Sequence, residues 1–175
     1  MLKNLDVVTY SNGDPIPQIT NGTWSNTTTG AWCYYNGDAT QGSTYGKLYN
    51  WYAVSDPRGL APAGWHIPSD EEWTTLEKSL GGSSVAGGKM KETGTLHWET
   101  PNSGGNNSSG WAGLPGGCRS VNGFFSSVKE NGFWWSSSAG NPPLAWMRIL
   151  SFTGGNFSRS SGNKYFGYSV RCVKD

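Results

Sequence analysis

Hydrophobic and polar positions follow two different periods along this chain. In YGKLYNWYAVS (45–55), Leu48, Trp51 and Tyr52 fall at i, i+3 and i+4. That spacing predicts one face of a helix, which Pro57 stops. In IPSDEEWTTLEKSLGG (67–82), Trp73, Leu76 and Leu80 repeat at i, i+3 and i+7, the buried stripe of a second helix. Ser69 and Glu72 form an S-x-x-E capping box at its start. Asp70, Glu71 and Glu72 fill the first turn, where the helix dipole favours anions, so this acidic trio needs no metal to explain it. Gly81-Gly82 supply the stop. A weaker helix is predicted from Val85 to Thr93, diluted by Gly87-Gly88. From Phe124 onward the period shifts towards two. FFSS, FWWSSS, AWMRILSF, NFSRS and YSVRCVK read as short strands separated by Gly, Asn and Pro turns, with a hairpin loop at 153–156. Helices followed by an antiparallel set predict an α+β domain with two or three helices and a short-stranded antiparallel sheet.

Between these elements the chain is loop-rich. Asn12-Gly13-Asp14-Pro15, Asn21-Gly22 and Asn36-Gly37 mark turns, and 32–35 (WCYY) reads as a short extended run between the last two. The low-complexity stretch 102–110 (NSGGNNSSG) is flanked by Trp98 and Trp111, so it is expected to leave the core and return. Composition sharpens this picture. The 175 residues make one domain, 1–175. Gly is 26 and charged residues are only 14%, which alone suggests disorder, but 10 Trp supply enough apolar area for an aromatic core.

Charge and motifs then remove function classes. A net charge of +1 and a pI near 7.7 leave no electrostatic footprint for nucleic acid. No apolar run is long enough to span a membrane, so no membrane insertion is expected, and MLKNLDVVTYSNGD has no apolar h-region of a signal peptide. Cys33, Cys118, Cys172, His66 and His97 lack metal-ligand spacing. The cysteines read as buried free thiols or as one disulfide with one thiol over; a catalytic Cys–His pair is the competing reading. No phosphate-cradling or nucleophile-elbow motif occurs. After Glu130 the only acidic side chain is Asp175, against Arg148, Arg159, Lys164, Arg171 and Lys174. That imbalance argues against calcium chelation or glycoside hydrolysis by the C-terminal quarter. Neither a catalytic residue, a metal nor a cofactor is expected. Asn-x-Ser/Thr triplets at Asn21, Asn26, Asn106, Asn107 and Asn156 reflect composition.

Several strings carry a resemblance: NLDVVTYSNGDPIP, YGKLYNWYAV, PAGWHIPSDEEWTTLEKSLGG, VAGGKMKETGTLHW, GLPGGCRS, FWWSSS, AW-x-R-x-L and K-x-x-G-x-SVRCVKD. Together they resemble the Fibrobacter succinogenes major paralogous domain over nearly the whole chain. The resemblance implies a C-type lectin-like fold, in the branch shared with formylglycine-generating enzymes, and a surface or secreted binding domain of bacteria and their phages. It implies no enzyme. Cys118 in LPGGCRS and Cys172 in SVRC do not reproduce the oxidase cysteine centre. Trp135-Ser136-Ser137-Ser138 stands where sugar-binding lectins carry a Trp-Asn-Asp calcium motif. The family also has a strand ending in Trp-Met before the Asn-Leu motif, so Met1 corresponds to that Met.

Domains of this kind serve as variable proteins of diversity-generating retroelements, which rewrite adenines in AAY codons of the C-terminal coding segment. The resulting NNY codons exclude Trp, Met, Lys, Gln and Glu. Residues between the fixed motifs fit that rule: Ala139, Gly140, Asn141, Pro142, Pro143, Leu144, Ile149, Phe152, Thr153, Ser160, Ser161, Gly162, Asn163, Tyr165, Phe166 and Tyr168. The expected ligand-binding region is about 133–168, with these positions on loops and outward strand faces, where aromatics beside Ser and Gly resemble a paratope. The competing reading places Phe152, Tyr165 and Phe166 in the core. Trp65, Ser69, Glu72, Trp73, Trp111, Trp135 and Trp146 are the expected frame. The expected partner is a protein or other surface ligand, glycan included, and the expected location is extracellular, on a cell or virion surface. The alternative is an invariant surface-lipoprotein module that binds carbohydrate or is structural.

Overall fold

The computed structural model describes every residue except Leu2 and Asn21; the expected turn and the Asn-x-Thr triplet at Asn21 therefore lie outside the described residues. In chain order the regular elements are β1 (Trp32–Cys33), α1 (Ala39–Tyr45), β2 (Leu48–Tyr49), α2 (Trp51–Val54), β3 (Trp65–His66), α3 (Asp70–Ser79), α4 (Ser83–Met90), β4 (Gly116–Arg119), β5 (Phe125–Val128), β6 (Asn131–Ala139), β7 (Leu144–Ser151), β8 (Ser158–Asn163) and β9 (Val173–Lys174). The architecture is α+β. A five-stranded sheet has the order β5-β4-β6-β7-β8, and two small ribbons pair β1 with β2 and β3 with β9.

The sheet is mixed rather than purely antiparallel. β5 turns back along one edge of β4, so β6 takes the other edge and runs parallel to it through Gly117 and Gly132. The expected helix over 45–55 is also corrected. Tyr45 ends α1, Leu48 and Tyr49 are strand, and helix resumes only over Trp51–Val54. Tyr49 exchanges backbone bonds with Tyr168 (2.9 and 3.1 Å), which fixes it extended. Asn50 then starts the helix by accepting from the Ala53 amide (3.0 Å). Helix α1 carries no apolar stripe; its signal is the Asp38 cap on the Thr40 amide (2.8 Å).

Helix α3 forms as its sequence dictates. Both halves of the capping box are made, by Ser69 on the Glu72 amide and by the Glu72 carboxylate on the Ser69 amide. Trp73 is buried, while Leu76 and Leu80 are half-buried against the same cluster. In α4 the glycine pair has a positive role. A Cβ at Gly87 would stand 2.1 Å from the Asn156 carbonyl oxygen, and one at Gly88 would stand 2.5 Å from that of Gly104. Two loops lie directly on the helix backbone there. Lys91, fully buried, locks the arrangement: its ammonium donates to the carbonyls of Ser103, Ser151 and Gly154 at 2.8–2.9 Å. The low-complexity stretch 102–110 is thereby held against the domain.

Both faces of the sheet are covered. Trp73, Met90, Trp98, Trp134, Leu150 and Phe157 pack between the sheet and helices α3 and α4. Trp135, Met147, Tyr168 and Cys172 join the N-terminal segment and α2 in the largest cluster. The frame tryptophans divide. Trp73 and Trp135 are buried, but Trp65, Trp111 and Trp146 are only half-buried. Trp146 lies under the Arg159 guanidinium (3.4 Å) and Trp111 under that of Arg171 (4.1 Å), so cations complete the cover that apolar neighbours leave open. Trp24, Trp98 and Trp134 are buried as well. Cys33, Cys118 and Cys172 are buried free thiols.

Candidate ligand-binding surface

The expected surface begins at the β6–β7 hairpin. Gly140 donates to the Leu144 carbonyl (3.0 Å) and Leu144 to that of Asn141 (2.8 Å), closing a tight loop through Pro142 and Pro143. Ala139, Asn141 and Pro142 are exposed, and Gly140 and Leu144 half-exposed. Register places Asn163 of β8 across from Leu144. The turn after β8 is closed by Phe166 donating to the Asn163 carbonyl (2.8 Å). It sets Tyr165 edge-to-face against Tyr52 of α2 (5.3 Å). Burial, together with the Tyr165 hydroxyl, pushes the Tyr52 pKa up to about 12, so the Tyr52 phenol stays protonated. Lys164 in the same turn lies 4.4 Å from the Trp51 ring. One end of the sheet therefore gathers Ala139, Gly140, Asn141, Pro142, Leu144, Asn163 and Tyr165.

A second group continues along one sheet face. Ile149 pairs across to Phe133 on one side and to Ser158 on the other, with Ser160 across from Met147. Phe133 and Phe166 both stack nearly parallel on Tyr168, at 5.2 and 5.3 Å. Phe133, Ile149 and Phe166 are half-buried, packed on the margin of the largest cluster, and Ser158 is exposed. Small serines on β8 leave these rings open from the sheet edge.

Three expected positions do not join this surface. Tyr168 is only 4% exposed, tilted against Trp135 at 4.5 Å, and a Cβ at Gly162 would meet its ring at 2.9 Å. It is core, because the missing side chain at Gly162 leaves a slot that the ring fills. Phe152 lies beyond the far end of β7 and packs on the second cluster. Ser161 pairs with Trp146 on the face that holds α3. Conversely, Phe133 and Tyr52 belong to the surface although the NNY argument omits them. Phe133 lies inside the fixed FWW string on the same strand face as buried Trp135, and only its place beside Ile149 leaves it partly exposed.

The serines after Trp135 have a structural task. Between Trp135 and Ala139 the ladder is interrupted, so β6 bulges over Ser136–Ser138. There the Ser136 carbonyl accepts from the Trp51 indole (2.9 Å), Ser137 donates to the Pro68 carbonyl (2.9 Å) and the Ser138 hydroxyl accepts from the Asp70 amide (3.0 Å). The bulge thus anchors the N-terminus of α3. Asp70 in turn holds Arg159 at 2.7 Å and lies 2.9 Å from fully buried Arg148. This explains how β7 and β8, which carry no acid, accommodate Arg148 and Arg159: the acid comes from α3.

The profile of the Fibrobacter succinogenes major domain matches residues 1–174. The chain belongs to the Fibrobacter succinogenes major domain family. No curated protein and no solved structure matches it. Within this Fibrobacter succinogenes major domain, no group of three His, Cys, Asp or Glu among the described residues could hold a metal ion. No helix among them is long and apolar enough to cross a membrane. Burial pushes the Cys33 and Cys172 thiols up to about 11 and that of Cys118 upward, which disfavours the nucleophilic thiolate.

Proposed function

We propose that this chain is a non-enzymatic ligand-binding domain, a retroelement-diversified variable protein with a C-type lectin-like scaffold, displayed outside the cell or on a virion. The single domain spans 1–175 and its variable region about 133–168. One observation carries the reading. The β6–β7 hairpin, the end of β8 and the following turn present changeable side chains together, on a sheet whose two faces are filled by buried tryptophans. Contact residues and fold residues are then largely different residues. The α+β order, the small curled sheet and the long docked loops support the scaffold assignment. The inert thiols support the absence of cysteine chemistry, and His66 and His97 each pair with a carboxylate.

Sequencing the genomic neighbourhood tests the diversification. A near-copy of the segment encoding 133–168, differing at adenines and lying beside a reverse transcriptase gene, is expected. Without such a template the diversification fails, and an invariant binding module is left. One observation favours a glycan for that module: the partly exposed rings of Phe133 and Phe166, held on either side of buried Tyr168, are of the kind sugars stack on. Specific hits on a glycan array, lost in Phe166→Ser, would select it.

A further inference from the structure

The two edges of the five-stranded sheet are built differently. At the β5 edge, Ser127 and Lys129 have positive φ (64° and 69°), so the backbone kinks and cannot take a further strand in register. At the other edge, β8 is regular: it pairs with β7 without interruption and has no residue of positive φ. Its sequence, SRSSGN, also lacks the proline or lysine that ordinarily protects an edge.

The register shows which groups face outward. Lys164 donates to the Pro143 carbonyl (3.0 Å), so the pairs that exchange bonds with β7 continue as Gly162–Ala145, Ser160–Met147 and Ser158–Ile149. The amides and carbonyls of Arg159 and Ser161, and the Asn163 amide, therefore point away from the sheet. None of these has a backbone partner among the described residues. Side chains do not shield them. The serines and Gly162 are small, and Arg159 is drawn down onto Trp146 (3.4 Å) and Asp70 (2.7 Å).

We infer that this edge is an interface for a second copy of the chain, with β8 pairing antiparallel to its partner's β8 about a two-fold axis at Ser161. Outward groups must meet outward groups, which puts Ser161 opposite Ser161, Arg159 opposite Asn163 and Ser160 opposite Gly162. No like charges face each other across the axis, and about six main-chain hydrogen bonds form. A net charge of +1 gives little repulsion between copies. The axis sends the two β6–β7 hairpins to opposite ends of one continuous sheet, so both stay open. The interface goes beyond the binding reading and does not rest on it, because main-chain pairing is indifferent to which side chains stand at Ser160 and Ser161.

A single strand is a small interface, so the dimer is weak. In sedimentation equilibrium the average mass should rise from 18.9 kDa towards its double between about 10 µM and 1 mM. Ser161→Pro removes an outward amide and no bond within the chain, so it should hold the mass at the monomer with an unchanged near-UV spectrum. Ser161→Cys, in a chain whose own cysteines are buried, should oxidise to a covalent dimer, because the pairing sets the two Cα atoms about 5.5 Å apart. Ser158→Cys, opposite Lys164 in that register, should not. Should Ser161→Pro not fold, the two cysteine substitutions decide. A chain that stays monomeric at about 1 mM, a dimer that persists in folded Ser161→Pro, or equal cross-linking at positions 158 and 161 would overturn the interface.

Discussion

At the scale of single residues, neighbours in sequence divide between fold and contact. Tyr165, Phe166 and Tyr168 are three aromatics within four positions, yet only Tyr168 is buried. Tyr168→Ser should cost about 3 kcal/mol or more by leaving a cavity between Trp135 and Phe133. Tyr165→Ser should cost within about 0.5 kcal/mol, because its ring leans on Tyr52 at the surface. Urea denaturation of the two variants measures the contrast, and equal losses would place Tyr165 in the core. His66 gives a prediction with a sign. Its two ring nitrogens face Asp175 and Glu72, each at 2.7 Å, and these hydrogen bonds raise its pKa, Asp175 contributing most. The imidazolium is favoured in the fold. Its stabilisation is therefore fully present below the unfolded value near 6.5 and disappears as pH rises through the raised folded value. The pair is exposed, so the effect is small. The Tm difference between the parent and His66→Asn should shrink from about pH 5.5 to about pH 8.5; a difference independent of pH would assign it to packing.

Among the elements, α3 does the most to link sequence to site. Its stripe, cap and acidic first turn are legible in the sequence because each is local. What the sequence could not show is that Asp70 reaches across to Arg148 and Arg159, since those partners lie 78 and 89 positions away. Asp70→Asn should therefore cost far more than the loss of a dipole contact. It leaves Arg148 buried without a carboxylate, for about 3–5 kcal/mol, whereas Ser69→Ala should cost about 1 kcal/mol. Thermal unfolding of both variants checks this ranking. The same logic explains the misread helix over 45–55. Leu48, Trp51 and Tyr52 have helical spacing, but pairing of Tyr49 with Tyr168, far along the chain, overrides it. In α4, Gly87-Gly88 reads as dilution, yet the pair is where two loops meet the helix. Gly87→Ala should lower Tm by several degrees, as expected for about 1–3 kcal/mol of overpacking against the Asn156 carbonyl.

For the whole molecule, the proposed contact groups sit at one end of a filled frame and along the β8 edge of its sheet. The strands from Phe125 onward were legible because alternation is local; the parallel step between β4 and β6 was not, because it follows from which sheet edge stayed free. Of the surface, the hairpin and the post-β8 turn were legible as segments between fixed motifs. The inward turn of Tyr168 and the partial exposure of Phe133 depend on three-dimensional neighbours, Gly162 and Ile149, that no local pattern exposes. The most direct test is a display library randomised at Asn141, Pro142, Leu144, Asn163, Tyr165 and Phe166, beside a second library randomised at Trp73, Trp98, Trp134, Trp135, Leu150 and Tyr168. Folding is read by protease resistance and binding by selection against unrelated protein ligands. The account predicts that most members of the first library stay folded and yield distinct binders, while the second library collapses. Comparable loss of folding in both libraries, or a folded first library that yields no binders, would contradict it.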